Sequence, residues 1–267
     1  MNLYQIIILA IVEGFTEFLP VSSTGHLIIA QKLLGLKQVD EFTTVILQLA
    51  AIMAAFFYFR KRIIKIVKNT YWNIKNRQCQ KDLGIMIVIS ILPTLAIAFI
   101  LKDFINVLQN STLVVGLSTI IFGIGFYLIE KVYLKNQKRL NLEQASGKNI
   151  YIIGLFQIFS LIPGVSRSGA TVSGGLTQNM NFKDSIEVAF LMGMPIMLAA
   201  SIYEICKTLS DISITDFSNI SIGFLVSFLV ALCSIKLTIG LLSRNGFFPF
   251  MIYRILFGLF ILFFTKM

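Results

Sequence analysis

The chain has 267 residues, 56% of them hydrophobic and 13% charged, with a mean hydropathy of +0.82. Soluble domains carry about a quarter of their residues as charged side chains, so this chain is too apolar for a globular core, and a bilayer is its natural solvent. The net charge of +10 does not point to nucleic acid, because the basic residues collect in two stretches that each follow a long apolar run. That is the pattern of cytoplasmic loops in a multi-pass membrane protein rather than of a binding patch.

In chain order, an apolar start leads into a Gly/Ser/Pro-rich stretch within residues 1–40. The start lacks a basic leader and is interrupted by Glu13, so it is not expected to be a cleavable signal. A first crossing is predicted over 42–59, then a basic loop over 60–82 with eight Lys and Arg residues. Crossings follow over 83–101 and 104–129, with the nearly neutral residues 102–111 outside. A second basic loop, 131–149, precedes another polar-ended segment, 150–186. Three more crossings are predicted over 188–203, 217–235 and 245–265, the last broken by Arg254, with 207–218 outside. This sidedness puts both termini outside. Pro20, Pro163 and Pro195 are expected to break helices. Cys79, Cys206 and Cys233 are odd in number, match no metal-ligand spacing, and are expected as buried thiols without a disulfide.

The two polar-ended segments are related. With the numbering shifted by 144, Glu13 falls on Gln157, and Ser22, Ser23, Thr24 and Gly25 fall on Ser166, Arg167, Ser168 and Gly169. The register reaches Met53 and Met197, and Ile121-Phe-Gly123 matches Leu256-Phe-Gly258 after a shift of 135. One odd segment followed by three crossings makes the second half run opposite to the first. The reading is therefore an all-α polytopic membrane protein, one membrane domain over 1–267. It is built as an inverted-topology repeat (1–130 and 150–267, joined by the cytoplasmic loop 131–149), with six transmembrane helices and two re-entrant helical hairpins whose tips meet near the midplane.

An ionisable group inside a membrane segment costs at least about 2.5 kcal/mol, so each one is a candidate for function. Glu13 and Glu17 share a helix face, and a divalent cation, Mg²⁺ or Ca²⁺, bridging them to a phosphate would relieve their repulsion. His26, the sole histidine, closes the Ser22-Ser23-Thr24-Gly25 turn and has a pKa suited to proton transfer at neutral pH. Ser166, Arg167, Ser168 and Gly169 supply hydroxyls, a guanidinium and a turn entering a helix, which together suit an anion. Thr171, Gln157 and Arg254 are further candidates for contacting substrate, Arg254 being equally suited to partnering a Glu or a carbonyl.

The stretch from Glu13 to His26, with Pro163-Gly-Val-Ser-Arg-Ser-Gly-Ala-Thr171 and the pair Tyr253-Arg254, resembles the undecaprenyl-diphosphatase family, also called bacitracin-resistance proteins, over nearly the whole chain. Phe190-Leu-Met-Gly-Met-Pro195 departs from the family's pattern at a position that bears on pocket packing. The resemblance implies hydrolysis of a polyprenyl diphosphate lipid, undecaprenyl diphosphate, to the monophosphate and inorganic phosphate, recycling the carrier lipid for peptidoglycan synthesis and conferring bacitracin resistance. It also implies a divalent cation, a bacterial inner membrane location and a site opening to the outer face. Either Ser23 attacks phosphorus with His26 as its base, or His26 activates a water. The competing class is a lipid-phosphate transporter using the same midplane site; a scaffold without turnover is a third reading. Beyond bilayer and lipid substrate no partner is read, except that a homodimer is left open.

Overall fold

The computed structural model describes residues 1–36, 41–78, 82–135, 139–208 and 217–264. The described residues form twelve α-helices and no strand pairing beyond one isolated bridge, Leu140 to Met180. They are α1 (Leu3–Thr16), α2 (Ser23–Leu33), α3 (Glu41–Tyr58), α4 (Arg60–Lys75), α5 (Leu83–Ile100), α6 (Lys102–Gln109), α7 (Thr112–Leu134), α8 (Gly147–Gln157), α9 (Arg167–Thr177), α10 (Phe182–Thr208), α11 (Phe217–Asn245) and α12 (Phe248–Phe264).

The chain is an all-α polytopic membrane protein. Five of the six predicted crossings each correspond to one helix, α3, α5, α10, α11 and α12, and the sixth, 104–129, is divided between α6 and α7. By length and composition, α5, α7, α10 and α11 can each cross a bilayer alone. α3 qualifies together with α4, which leaves it at a 73° bend, while the apolar α12 has 17 residues.

Three expectations need correction. The third crossing does not start at 104: residues Lys102–Gln109 form the separate exposed helix α6, and α7 begins after Ser111, whose hydroxyl accepts the Val114 N–H at 3.4 Å. α7 also runs past the charged pair Glu130-Lys131, because buried Glu130 accepts the Phe247 N–H at 2.6 Å and so serves the N-terminus of α12. Pro195 does not break a helix but sits inside α10; a proline removes one ladder bond, and in lipid continuing the ladder satisfies every other backbone group. Cys206 and Cys233 are exposed on the helix surface rather than buried, where an apolar thiol can face lipid without cost. Cys79 lies outside the described residues.

Packing runs through small residues, as membrane helices require for close backbone approach. At Gly258 of α12 a Cβ would stand 2.8 Å from the Gly116 carbonyl oxygen of α7, so the two helices cross almost backbone to backbone. α9 is the centre of the molecule: Ser168 through Leu176 are all buried, held by α8, α10 and α7. A central helix of Ser, Gly, Ala and Thr carries little apolar payload, so its neighbours supply the core with Ile150, Ile153, Phe126, Ile186 and Met192. The two halves also share local structure. α2 and α9 are of equal length and start at Ser23 and Arg167, equivalent positions of the repeat. α1 and α8 likewise start at equivalent positions, Leu3 and Gly147.

Candidate active site

Two turns interrupt the apolar scaffold at matching places. Residues 17–22 join α1 to α2, and residues 158–166, opening with the 3-10 turn Ile158–Leu161, join α8 to α9. Each ends in a serine with left-handed backbone, Ser22 and Ser166, both at φ 73°. Such a conformation costs a non-glycine residue of order 1–3 kcal/mol and persists only where its surroundings impose it, typically at functional sites. Each serine caps the following helix: Ser22 Oγ accepts the Gly25 N–H and Ser166 Oγ the Gly169 N–H, both at 3.4 Å. The first residues of α2 and α9 thus face one polar pocket, lined by Glu17, Ser22, Ser23, Thr24, Gly164, Ser166 and Arg167 among others. Two helix N-termini directed at one cavity give it a positive potential that suits an anion.

At its heart Glu17 is shared. Ser23 Oγ donates to Glu17 Oε2 at 2.7 Å, and Arg167 Nη1 donates to Glu17 Oε1 at 3.3 Å. The side chain of Glu17 is 5% exposed and that of Arg167 26% exposed, so the carboxylate is sealed in while the guanidinium reaches the pocket. Glu13 is buried beside this pair, within electrostatic reach of Glu17 and Arg167, and its Oε2 has no hydrogen-bond partner among the described residues. Two neighbouring carboxylates with an orphaned oxygen fit a hard divalent cation that completes its shell with water and phosphate oxygens. No third His, Cys, Asp or Glu joins them to form a closed metal site among the described residues.

The expected contact between Ser23 and His26 is not formed. His26 Nδ1 lies 2.7 Å from the Ser22 carbonyl oxygen and therefore donates to it, which leaves Nε2 to accept from the Tyr253 hydroxyl at 2.6 Å. The ring stacks on Phe257 at 3.9 Å between centroids. With both nitrogens engaged, the histidine braces the Ser22 turn, and the serine hydroxyl turns to Glu17 instead.

Arg254 is fully buried and points at three carbonyl oxygens: Thr119 O from Nε at 3.0 Å, Pro20 O from Nη1 at 3.1 Å and Gly164 O from Nη2 at 2.9 Å. Pro20 and Gly164 are equivalent positions of the repeat, so one guanidinium ties the same point of both turns. α7 adds Ser118 Oγ, which donates to Pro163 O, and Thr119 Oγ1, which donates to the Val115 carbonyl at 2.7 Å and stands 3.3 Å from Gly164 O. Gly164 has φ 95°, and a Cβ there would collide with Ser118 Oγ; only glycine lets the turn come this close. Of the other candidates, Thr171 is wholly buried and donates to the Arg167 carbonyl at 2.9 Å. Ser168 Oγ lies 3.1 Å from Ser166 Oγ, and Gly169 packs under Phe126. Gln157 is fully buried with both polar atoms unpartnered among the described residues, and it does not line the pocket.

The pocket also takes Gln48 from α3, Gln109 from α6 and Ser160 from the 3-10 turn. Gln48 had a legible signal, the one amide in the otherwise apolar run 45–59. Gln109 and Ser160 had none, since each looks like an ordinary loop residue until the fold brings it in.

Fold and pocket together define a polytopic helical membrane protein with a polar pocket cradled between two interrupted helices. The chain belongs to the bacitracin resistance protein BacA family, whose pattern matches residues 6–260. It is similar to proteins named undecaprenyl-diphosphatase along their full length. The identity is 39% to that of Methanococcus aeolicus, covering 99% of both chains, and 40% to that of Sulfurovum sp., covering 98% of this chain and 99% of the other. It is 37% to that of Wolinella succinogenes, covering all of both.

Proposed function

We propose that this protein is a membrane phosphatase that converts undecaprenyl diphosphate to undecaprenyl phosphate and inorganic phosphate. The observation that carries the chemistry is the Ser23–Glu17–Arg167 relay, because it pairs a nucleophile with a base and the base with a cation. The substrate is drawn from the names of the relatives. The diphosphate enters between the N-termini of α2 and α9, with the isoprenoid chain left in the bilayer. Ser23 Oγ attacks the terminal phosphorus while its proton passes to Glu17. The bond from that phosphorus to the bridging oxygen breaks, and undecaprenyl phosphate leaves with the electron pair and takes the proton from Glu17. Water then attacks the phosphoserine and gives its proton to the regenerated Glu17 carboxylate; the bond from Ser23 Oγ to phosphorus breaks, Ser23 recovers its proton from Glu17, and inorganic phosphate is released. Arg167, which spends one N–H on Glu17, keeps the rest of its planar fork for phosphate oxygens as charge develops on them. Glu13 and Glu17 would hold a Mg²⁺ or Ca²⁺ ion, which when bound supplies further charge neutralisation. His26, Tyr253 and Arg254 position the turns without touching the reacting atoms.

In this reading the pocket opens to the outer face of a bacterial inner membrane, and the product returns to peptidoglycan synthesis, lowering sensitivity to bacitracin. The matching helix starts of the two halves favour a second reading, a transporter of lipid phosphate. One assay separates the two: purified full-length protein in detergent, given lipid diphosphate labelled in its terminal phosphate. The phosphatase releases labelled phosphate, acid quenching traps label on serine, and Ser23→Ala does neither. No release by the wild type would overturn the enzyme assignment; release at the wild-type rate by Ser23→Ala would leave Glu17 activating water.

A further inference from the structure

α4 takes no part in the site, and none of its residues is buried. It nevertheless has a fixed setting. Arg62 Nε donates to Glu187 of α10 at 2.6 Å. Asp82, the cap of α5, accepts from Thr70 Oγ1 at 2.6 Å and from Asn73 Nδ2 at 2.8 Å. With Ile63 and Ile66 packed against the core, these residues form the half-buried stripe that faces the protein.

The rest of the surface divides into two further stripes at helical spacing. Ile64, Val67, Tyr71 and Ile74 recur at i, i+3, i+7 and i+10, and all are 53–68% exposed. Beside them run Lys61, Lys65, Lys68 and Lys75, all exposed, with exposed Trp72 filling the gap at i+11. Residues 60–77 hold seven Lys and Arg residues and no Asp or Glu. The helix also turns 73° from the membrane-crossing α3, which brings it towards the plane of the bilayer.

We propose that α4 is an interfacial helix whose lysine stripe binds the headgroups of anionic phospholipids in the leaflet it rests on. Charge complementarity selects the occupant. An acidic soluble protein or a nucleic acid would meet the lysines but leave four large apolar side chains next to a polar ligand. A leaflet satisfies both stripes at once, with the aliphatic and aromatic side chains at the acyl boundary and the ammonium groups reaching phosphates. Each basic residue near an anionic surface favours it by a factor of about five, so four lysines in one row select anionic lipid over zwitterionic lipid locally.

Trp72 is the only tryptophan in the chain, which makes it a built-in reporter. The full-length protein is reconstituted in phosphatidylcholine vesicles containing a minor fraction of phosphatidylglycerol, with bromine on one lipid class at a time. The expected result is that brominated phosphatidylglycerol quenches Trp72 several-fold more than an equal fraction of brominated phosphatidylcholine. Bromines near the headgroup should quench more than bromines deep in the chain. The preference should fall towards one at high salt and in the Lys61→Gln, Lys65→Gln, Lys68→Gln, Lys75→Gln variant. The salt series on the wild type decides the question even where the variant fails to fold. Equal quenching by both classes would overturn the headgroup selectivity; no quenching by either would place Trp72 in water or against a protein partner and overturn the interfacial helix.

Discussion

Replacing Arg254 by lysine separates a residue that holds the turns from one that holds the substrate. In the structure the guanidinium donates to three carbonyl oxygens on three segments, Pro20, Gly164 and Thr119, at 2.9–3.1 Å. A lysine retains the charge, but a single ammonium on a flexible stem cannot span three acceptors fixed by a planar fork. If it keeps one, two bonds to a charged donor are lost, each contributing about 1.5–3 kcal/mol, for a total near 3–6 kcal/mol before the turns relax. The assay is paired: thermal unfolding of the purified protein in detergent, and kcat and KM for lipid diphosphate hydrolysis. Because the bonds tie both turns together, the melting midpoint should fall by roughly 10 °C and kcat should fall with it as Ser23 and Arg167 drift apart. A variant that melts like the wild type but binds substrate weakly would refute this reasoning and make Arg254 a substrate contact.

Arg167→Lys should show the opposite signature, an unchanged melting midpoint with kcat lower by about 10²–10³ and KM changed less, because the lost fork matters most as charge develops. Glu17→Gln should lose activity to a similar extent in the hydrolysis assay and should also raise the concentration of Mg²⁺ or Ca²⁺ needed for half-maximal rate; an unaltered cation requirement would exclude Glu17 from holding the ion. Asp82→Ala should destabilise the protein at neutral pH by about 1–3 kcal/mol, since it removes a helix cap and two side-chain hydrogen bonds. Although burial pushes the Asp82 carboxyl up, hydrogen bonds from Thr70, Ile85 N–H, Asn73 and Gly84 N–H outweigh it and hold its pKa below the usual carboxylate range. Its stabilising contribution is therefore full above the ordinary aspartate pKa and is lost as pH falls through the depressed folded value, so melts of wild type and variant should converge only in acid.

The helical, membrane-spanning architecture was legible because bilayer thickness sets a length that charge-free runs either reach or miss, and five of the six runs each correspond to one helix, 104–129 being divided between α6 and α7. The paired turns were legible because the same Ser-x-Ser/Thr-Gly pattern recurs at a fixed offset. What the sequence left hidden depends on contacts between distant positions. His26 and Tyr253 are 227 residues apart, and nothing local says that the imidazole will be occupied there instead of serving Ser23. The lone charge of Arg254 marked it as unusual, but a buried cation reads the same whether it faces a phosphate or three carbonyls. The α6 boundary was missed because Phe104, Ile105 and Val107 count towards an apolar run whether they cross the bilayer or lie exposed beside it.

The tie through Arg254 also has a meaning for biosynthesis. Glu17 and Ser23 lie at the turn from α1 to α2 and Arg167 at the start of α9, so all three are synthesised before α12. The guanidinium that fastens their two turns sits on α12, the last of the described helices. On the proposed mechanism, a chain truncated before α12 would keep Glu17, Ser23 and Arg167 yet lack the clasp that sets their turns, and is expected to release no labelled phosphate in the hydrolysis assay.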